Sequence, residues 1–345
     1  MSEYIDEIFK RKRKILLVDD EENNLSFMAR CLHGEPYELT KCVSGVEALE
    51  LIKSGQHFDV ILSDHKMPDM DGIEFLERVG LIDPESIKIL VTAYSDAEIL
   101  IDSINKAKVY RYIKKPYKPD ELVITVKTAI EFLELKEDNK NLVTDLKDLF
   151  SGTIKAIVEA LDAKDSFTLG RSRRVTFYAL KMGERLGLSK YLIGELELAG
   201  LLHDIGMIGV SDEILYKTDK LTPEEYEEVK MHVSHGVRIL EDIEQLTEVV
   251  DIIKHHHEHY DGSGYPDKLK GDEIPLLSRI IAITDAYDSM ISNRAYRKSM
   301  TTEQAVEVIE SMAGKQFDPE LTKVFVDILP SAISQIKEFD KRARL

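Results

Sequence analysis

The sequence predicts a two-domain protein: an α/β doubly wound (βα)5 domain followed by an all-α helical bundle. Three observations carry this reading. The 345 residues exceed one ordinary domain and suit about two. From residue 15 to about 131, short β-branched runs alternate with longer amphipathic stretches. Beyond residue 153 the apolar residues recur mostly at helical spacing, and seven of the ten histidines fall within 203–259. The expected boundaries are an N-terminal extension at 1–12, the α/β domain at 13–131, a connecting coiled-coil-like helix at 132–152 and the helical domain at 153–345.

In the first domain the expected strands are ILLV at 15–18, ELTKCV at 38–43, DVILS at 59–63, KILVT at 88–92 and VYRYI at 109–113. Strands alternating with helices imply a parallel sheet covered on both faces, with its site at the strands' C-terminal ends. The first strand stops at Asp19-Asp20, the third at Asp64, the fourth at Thr92, and Lys115-Pro116 follows the fifth. Three carboxylates in one crevice repel unless a cation joins them, and oxygen ligands favour magnesium. Asp64 could then accept a phosphoryl group, Lys115 stabilise its charge and Thr92 hydrogen-bond the product. The alternative is a flavodoxin-like domain whose strand-end acids are merely solvated.

In the connector, Phe132, Asn139 and Leu146 form one seven-residue series and Leu135, Leu142 and Leu149 another, offset by three. That spacing makes an a/d seam, on which a helix can pair with its copy in a parallel homodimer with Asn139 fixing the register. The alternative is that these leucines pack back on their own domain.

The helical domain sets its chemistry in apolar surroundings. His203-Asp204 lies in LAGLLHDIGMIG, and a buried carboxylate there needs a metal or cation. His232 follows, then the run His255, His256, His257, Glu258, His259 leading into the glycine-rich DGSGYP. Asp285 sits inside the apolar RIIAITDAYDSM. Histidines and carboxylates without cysteine suit iron, manganese, nickel or cobalt better than a closed thiolate zinc site. Two such metals sharing a carboxylate and activating a water suit phosphodiester hydrolysis. The alternative is a set of hydrogen-bonded core histidines.

Composition narrows the function classes. With 43% hydrophobic residues and 32% charged residues, both halves can bury a core. Lysine and arginine total 46 against 64 acids, a net charge of −18, which disfavours broad adhesion to nucleic acid or anionic membrane. No basic helix-turn-helix segment follows the first domain, so no DNA partner is expected. Cys31 and Cys42 form no paired framework, as a reducing cytoplasm allows. Apolar runs such as ILLV and RIIAIT fall short of the ~20 residues that cross a bilayer, so no membrane insertion is expected. The N-terminal MSEYIDEIFKRKRK lacks an apolar signal core, and the expected location is cytoplasmic.

KILLVDDEENN, DVILSDHKMPDMDGIEFL, VTAYSD and YRYIKKPY resemble the receiver domain of bacterial response regulators over its full span. The resemblance implies that Asp19, Asp20 and Asp64 hold magnesium with the backbone carbonyl of Lys66, and that a sensor histidine kinase phosphorylates Asp64. It also implies that Thr92 and Tyr112 report the change and that Lys115 binds the phosphoryl group. LLHDIG, HHEHYDGSGYP, GDEIP, RIIAITDAYDSM and NRAYR resemble the HD-GYP family over about 153–330, whose members hydrolyse cyclic di-GMP or related cyclic dinucleotides. That resemblance implies two divalent transition metals, iron or manganese ahead of nickel, cobalt or zinc. The implied ligands are His203, Asp204, His232, His256, His257 and Asp285, with Asp204 bridging and His203 and Asp204 also the catalytic pair. Gly264, Tyr265 and Pro266 would form the signature loop, a surface for a GGDEF-type protein partner. Arg294 and Arg297 would face substrate phosphate; their alternative reading is surface charge.

Two positions depart from the family pattern. HDIGK is written HDIGMIG here, which puts Met207 in place of a lysine on the helical face of His203. GHSxRV is written GRSRRV, so Arg171 replaces a histidine that is a third-metal ligand in some members, and Phe167 cannot ligate. These departures imply a two-metal centre at most, with Arg171 as a further contact for the anionic substrate. The expected function is a phosphorylation-controlled, metal-dependent phosphodiesterase converting cyclic di-GMP to linear pGpG, GMP or both. The competing readings are a catalytically impaired output acting by nucleotide or protein binding, and hydrolysis of another cyclic dinucleotide such as cyclic GMP-AMP.

Overall fold

The computed structural model describes residues 12–93, 107–164, 170–217, 219–292 and 299–343, with side chains described up to residue 336. The chain divides into two compact units, Met1–Lys147 and Asp148–Leu345. Among the described residues no helix is long and apolar enough to cross a membrane.

In the first unit the strands are β1 (Arg13–Val18), β2 (Tyr37–Cys42), β3 (Val60–Asp64), β4 (Ile87–Ala93) and β5 (Arg111–Lys115), interleaved with helices α1 (Glu22–Cys31), α2 (Gly45–Lys53) and α3 (Gly72–Ile82) and followed by α4 (Pro119–Lys164). The sheet is parallel throughout, in the order β2-β1-β3-β4-β5. Its central strands carry the apolar runs Ile15–Val18, Val60–Leu62 and Ile89–Val91 because both faces are covered. Ile15 and Leu17 pack with Leu25 and Met28 of α1 and with Leu122 and Val126 of α4. Leu16 and Val18 pack on the other side with Leu49 and Ile52 of α2 and with Phe75 and Val79 of α3. The (βα)5 expectation is met in class and order.

The fifth strand lies two residues later than expected. Val109 and Tyr110 precede it, and of its five residues only Ile113 is buried. On an edge strand one buried side chain is enough to hold the register, so charged Arg111, Lys114 and Lys115 are admitted where an apolar run was sought.

The connector is one continuous helix, α4, longer at both ends than the expected 132–152. Leu135, Leu142, Leu146 and Leu149 are exposed on it, while half-exposed Phe132 packs its ring on Tyr110 with centroids 5.0 Å apart.

The second unit is helical: α5 (Arg171–Leu186), α6 (Lys190–Leu202), a 3-10 turn (Ile205–Gly209), α7 (Asp212–Leu215), α8 (Pro223–Leu240), α9 (Thr247–Lys254), α10 (Leu276–Ile291), α11 (Thr302–Ser311) and α12 (Pro319–Ala343). Its core holds Tyr178, Tyr287 and Phe325 in edge-on ring contacts with centroids 5.1–6.4 Å apart. Helix α8 starts on a capping box, the Thr222 hydroxyl accepting from Glu225 N while the Glu225 carboxylate accepts from Thr222 N. Pro223 fills the first helical position, where no N–H is needed. Helix α10 is buried nearly all round and carries two acids, Asp285 and Asp288, into the core.

The expectation that Met207 shares a helical face with His203 is corrected here. Helix α6 ends at Leu202 with His203 as its cap, and Met207 lies in the separate 3-10 turn. The cause is Gly206, where an added Cβ would stand 1.8 Å from the carbonyl oxygen of His232. The chain leaves its α-helical path to press this glycine against the backbone of α8.

Candidate metal centre

Four segments of the second unit converge on one site. The end of α6 brings His203 and Asp204, α8 brings His232, the turn after α9 brings His256 and His257, and the middle of α10 brings Asp285. Two groups of ligand atoms result, each lying within 4.8 Å of one another: His232, His256 and His257, and His203, Asp204 and Asp285. Asp204 stands between them, with Oδ1 3.7 Å from His232 Nε2 and Oδ2 3.2 Å from His203 Nε2.

Backbone carbonyls orient the rings. His203 Nδ1 donates to Gly200 O (2.8 Å), His232 Nδ1 to Val229 O (2.6 Å) and His256 Nδ1 to Ile253 O (2.5 Å). A carbonyl accepts only, so each Nδ1 carries a proton; this leaves Nε2 of neutral His232 and His256 as a lone-pair donor, while Nε2 of His203 faces the carboxylates of Asp204 and Asp285. The Nε2 atoms of these three histidines are buried without a hydrogen-bond partner. Orphaned imidazole nitrogens facing carboxylates fit a divalent transition metal of mixed nitrogen and oxygen ligation.

The site's electrostatics divide along the same line. Burial disfavours charge on Asp204 and Asp285, yet His203 and Arg171 overcome it and hold both well below the usual carboxylate range. Burial also works against charge on His203, but the two acids raise it to about 10. For His256, burial and the imidazoles of His203 and His232 push the pKa down to about 3, and burial with His256 and His232 depresses His257. A carboxylate held this firmly ionised serves better as a ligand than as a carrier of protons.

Arg171 lies inside the cluster: Nη2 is 2.5 Å from Asp285 Oδ1 and Nε 3.3 Å from Asp204 Oδ2. One turn on, Arg174 grips Asp288 through Nε (2.6 Å) and Nη2 (3.0 Å). The centre opens to a cavity of about 430 Å³, lined also by Met207, Lys217, Tyr226, His259 and Tyr265. The Tyr265 ring stacks on His257 with centroids 5.0 Å apart and an interplanar angle of 27°. His255 and His259 stand outside the two ligand groups. His255 contacts Asp267 Oδ2 (3.1 Å) and His259 contacts Ser263 Oγ (2.9 Å). Arg294, Arg297 and Phe167 lie outside the described residues.

Glu258 was missed as a functional candidate. It is buried, and its Oε1 accepts from Asp267 N (2.7 Å) and Lys268 N (2.9 Å), tying down the chain beyond Gly264, Tyr265 and Pro266. Gly264 packs against it so closely that a Cβ would stand 2.5 Å from Glu258 Cα. An acid within a histidine run was the available signal.

In the first unit the strand ends meet as expected of a parallel sheet. Asp19 and Asp64 are buried while Asp20 is exposed. Lys115 Nζ contacts Asp64 Oδ1 and lies 3.1 Å from Asp19 Oδ2. Burial raises the Asp64 pKa, with Lys115 opposing. Thr92 Oγ1 lies 3.1 Å from His65 Nδ1, Lys66 N donates to Asp64 Oδ2 (3.1 Å), and Tyr112 is exposed.

An acid pocket at the ends of a parallel sheet in one unit, and a histidine and aspartate centre in the helical unit that follows it in the chain, define a receiver joined to an HD-type phosphohydrolase. The family described as response regulator receiver domain matches residues 15–127, and the family described as HD domain matches 155–321. The chain is 31% identical over 336 residues to a cyclic di-GMP phosphodiesterase of Thermotoga maritima, covering 91% of this chain and 90% of that one. It is 29% identical to the cyclic di-GMP phosphodiesterase response regulator RpfG of Xanthomonas campestris pv. campestris, covering 94% and 89%. It is 33% identical over 192 residues to the 3'3'-cGAMP-specific phosphodiesterase 2 of Vibrio cholerae, covering 55% and 37%. The chain belongs to the response regulators that join a receiver to an HD-GYP phosphodiesterase domain.

Proposed function

We propose that the protein is a metal-dependent phosphodiesterase that hydrolyses cyclic di-GMP to linear pGpG, GMP or both, under the control of phosphorylation at Asp64 by a sensor histidine kinase. The observation that carries this reading is the pair of adjacent ligand groups, with Asp204 of one standing 3.7 Å from His232 of the other and the Nε2 atoms of His203, His232 and His256 buried between them. His203, Asp204, His232, His256, His257 and Asp285 would hold two divalent metals, iron or manganese first. Bound there, the metals supply Lewis acidity at the phosphodiester and activate water at neutral pH.

The chain's own residues set the stage. Carbonyls of Gly200, Val229 and Ile253 fix three of the rings, so the site needs little reorganisation when substrate arrives. Tyr265, stacked on His257, walls one side of the cavity, and Glu258 holds the loop that carries it. Met207 lines the cavity as an apolar surface where a lysine is usual in the family, and Arg294 and Arg297 remain the proposed phosphate contacts. In the receiver, Asp19, Asp20, Asp64 and Lys66 would hold magnesium, with Thr92, Tyr112 and Lys115 responding to the phosphoryl group. The exposed seam of α4 supports pairing with a second copy, and the loop at Gly264 to Pro266 supports docking of a GGDEF-type partner.

The test is anaerobic loading with iron or manganese, addition of cyclic di-GMP, and chromatography of the products. Metal-dependent pGpG or GMP, abolished in Asp204→Ala, is expected. Absence of product with two bound metals would transfer the reading to another cyclic dinucleotide, such as the cyclic GMP-AMP acted on by the Vibrio relative, or to a binding output.

A further inference from the structure

The two ligand groups differ in one respect that metal binding must meet. In the His203, Asp204 and Asp285 group, the oxygens facing His203 Nε2 are Asp204 Oδ2 at 3.2 Å and Asp285 Oδ1 at 3.3 Å. These same two oxygens face the guanidinium of Arg171, at 3.3 and 2.5 Å. A metal entering this group therefore competes with a buried arginine for two of its three ligand atoms. In the other group, His232 and His256 present buried Nε2 atoms with Asp204 Oδ1 3.7 Å from His232, and no arginine contact to these three histidines occurs among the described residues. Among the described residues no guanidinium has to give way before a metal enters there.

We infer that Arg171 is a resident cation of the centre that makes its two halves unequal: the His232, His256 and His257 group takes the first divalent ion. The His203, Asp204 and Asp285 group takes the second only by loosening the guanidinium's hold on both carboxylates. Arg171 is thus a positioning residue that sets the order of filling and the metal level at which the centre becomes binuclear. Its surroundings keep it in place. The side chain is buried, and Asp288, the next acid along α10, is occupied by Arg174, which leaves Asp285 and Asp204 as its partners. Two like charges in a buried site repel strongly enough to separate two otherwise similar affinities by an order of magnitude or more. The inference rests on the reading of this site as a metal centre.

The experiment is a manganese titration of the chelator-stripped full-length protein under anaerobic conditions, with free ion read by room-temperature EPR and paired ions by their exchange-coupled spectrum at low temperature. Two steps are expected, with dissociation constants at least tenfold apart. His257→Ala should abolish the tight step, and Asp285→Ala should abolish the weak step while sparing the tight one. Arg171→Met should narrow the gap tenfold or more and bring the coupled spectrum in at lower manganese, whereas Arg171→Lys, which keeps a cation, should hold the steps apart. Should the Met variant not fold, the wild-type steps and their assignment by His257→Ala and Asp285→Ala decide the matter. Wild-type affinities within threefold of each other, loss of the tight step in Asp285→Ala, or a gap unchanged in folded Arg171→Met would overturn the inference. Stepwise binding without turnover would refute the proposed hydrolysis and leave this inference standing; turnover with equal affinities would do the reverse. No manganese uptake at all would refute both.

Discussion

The close approach of Gly206 to α8 makes a quantitative prediction about how His232 is placed. A methyl group added at Gly206 would stand 1.8 Å from the carbonyl oxygen of His232 and 2.5 Å from the nitrogen of Gly236. Both obstacles are backbone, so neither can swing aside. Reaching a 3.0 Å contact requires the turn and the helix to part by about 1.2 Å. His232 rides on the part of α8 that must move, and ligand bonds of ~2.0–2.1 Å do not tolerate a displacement of that size. Gly206→Ala should therefore lose metal at the three-histidine group and destabilise the domain by about 3 kcal/mol, the upper end of overpacking effects. For a domain of about 200 residues that is a fall in Tm of roughly 6–12 °C. Gly194→Ala is the control: nothing lies within 4 Å of its added methyl in mid-helix, and a gain of about 0.5–1 kcal/mol is expected. Calorimetry of the metal-stripped protein and metal analysis of the loaded one read the two effects separately. A Gly206→Ala protein with unchanged Tm and full metal content would show that this turn does not brace α8, and the account of how His232 is positioned would fall.

Four further predictions follow from the site, its supporting ion pairs and the receiver. His203, raised to about 10 from an ordinary 6.5, holds a proton at pH 8 that a metal ligand must give up, so metal uptake at pH 8 in weak buffer should release about one proton from this residue. The same shift stabilises the metal-free domain in full below pH 6.5, and that contribution is lost as pH rises through 10; a flat thermal stability across this interval would contradict it. Arg279 Nη1 holds Asp272 and buried Asp318, each at 2.7 Å, and Asp318 caps the start of α12. Arg279→Ala should destabilise the domain by about 3 kcal/mol in chemical denaturation, and a loss under 1 kcal/mol would show that Asp318 needs no cation. In the receiver, Asp64→Asn should abolish phosphoryl incorporation from acetyl phosphate and magnesium; retained labelling would place the acceptor elsewhere.

The sequence displays what period and residue type encode, and conceals what distant segments impose on one another. Ile15 to Val18 read as a buried strand because an all-apolar run has few other uses in a parallel sheet, and β1 lies there. The position of β5 was obscured because an edge strand can be mostly charged and still pair, as Arg111 to Lys115 do. The helical continuation to Met207 failed for a reason held 26 residues beyond Gly206, in the backbone of His232 that Gly206 touches. Asp285 stood out as an acid in an apolar helix, whereas its contact with Arg171 joins residues 114 apart and has no periodic trace. The seam on α4 was legible from its heptad spacing, and the exposure of Leu135, Leu142 and Leu149 in the single chain follows from that pattern.

The claim on which the account turns is that cyclic dinucleotide hydrolysis depends on metal held by these six ligands. The direct measurement takes samples of the full-length protein across a manganese titration and records, on each, bound metal per chain and the initial rate of cyclic di-GMP cleavage. No cleavage by the stripped protein, a rate that rises with bound metal, and loss of the rate together with the metal of the three-histidine group in His232→Ala are expected. Cleavage that persists in the stripped protein, or a His232→Ala protein that retains that metal and full rate, would contradict the claim.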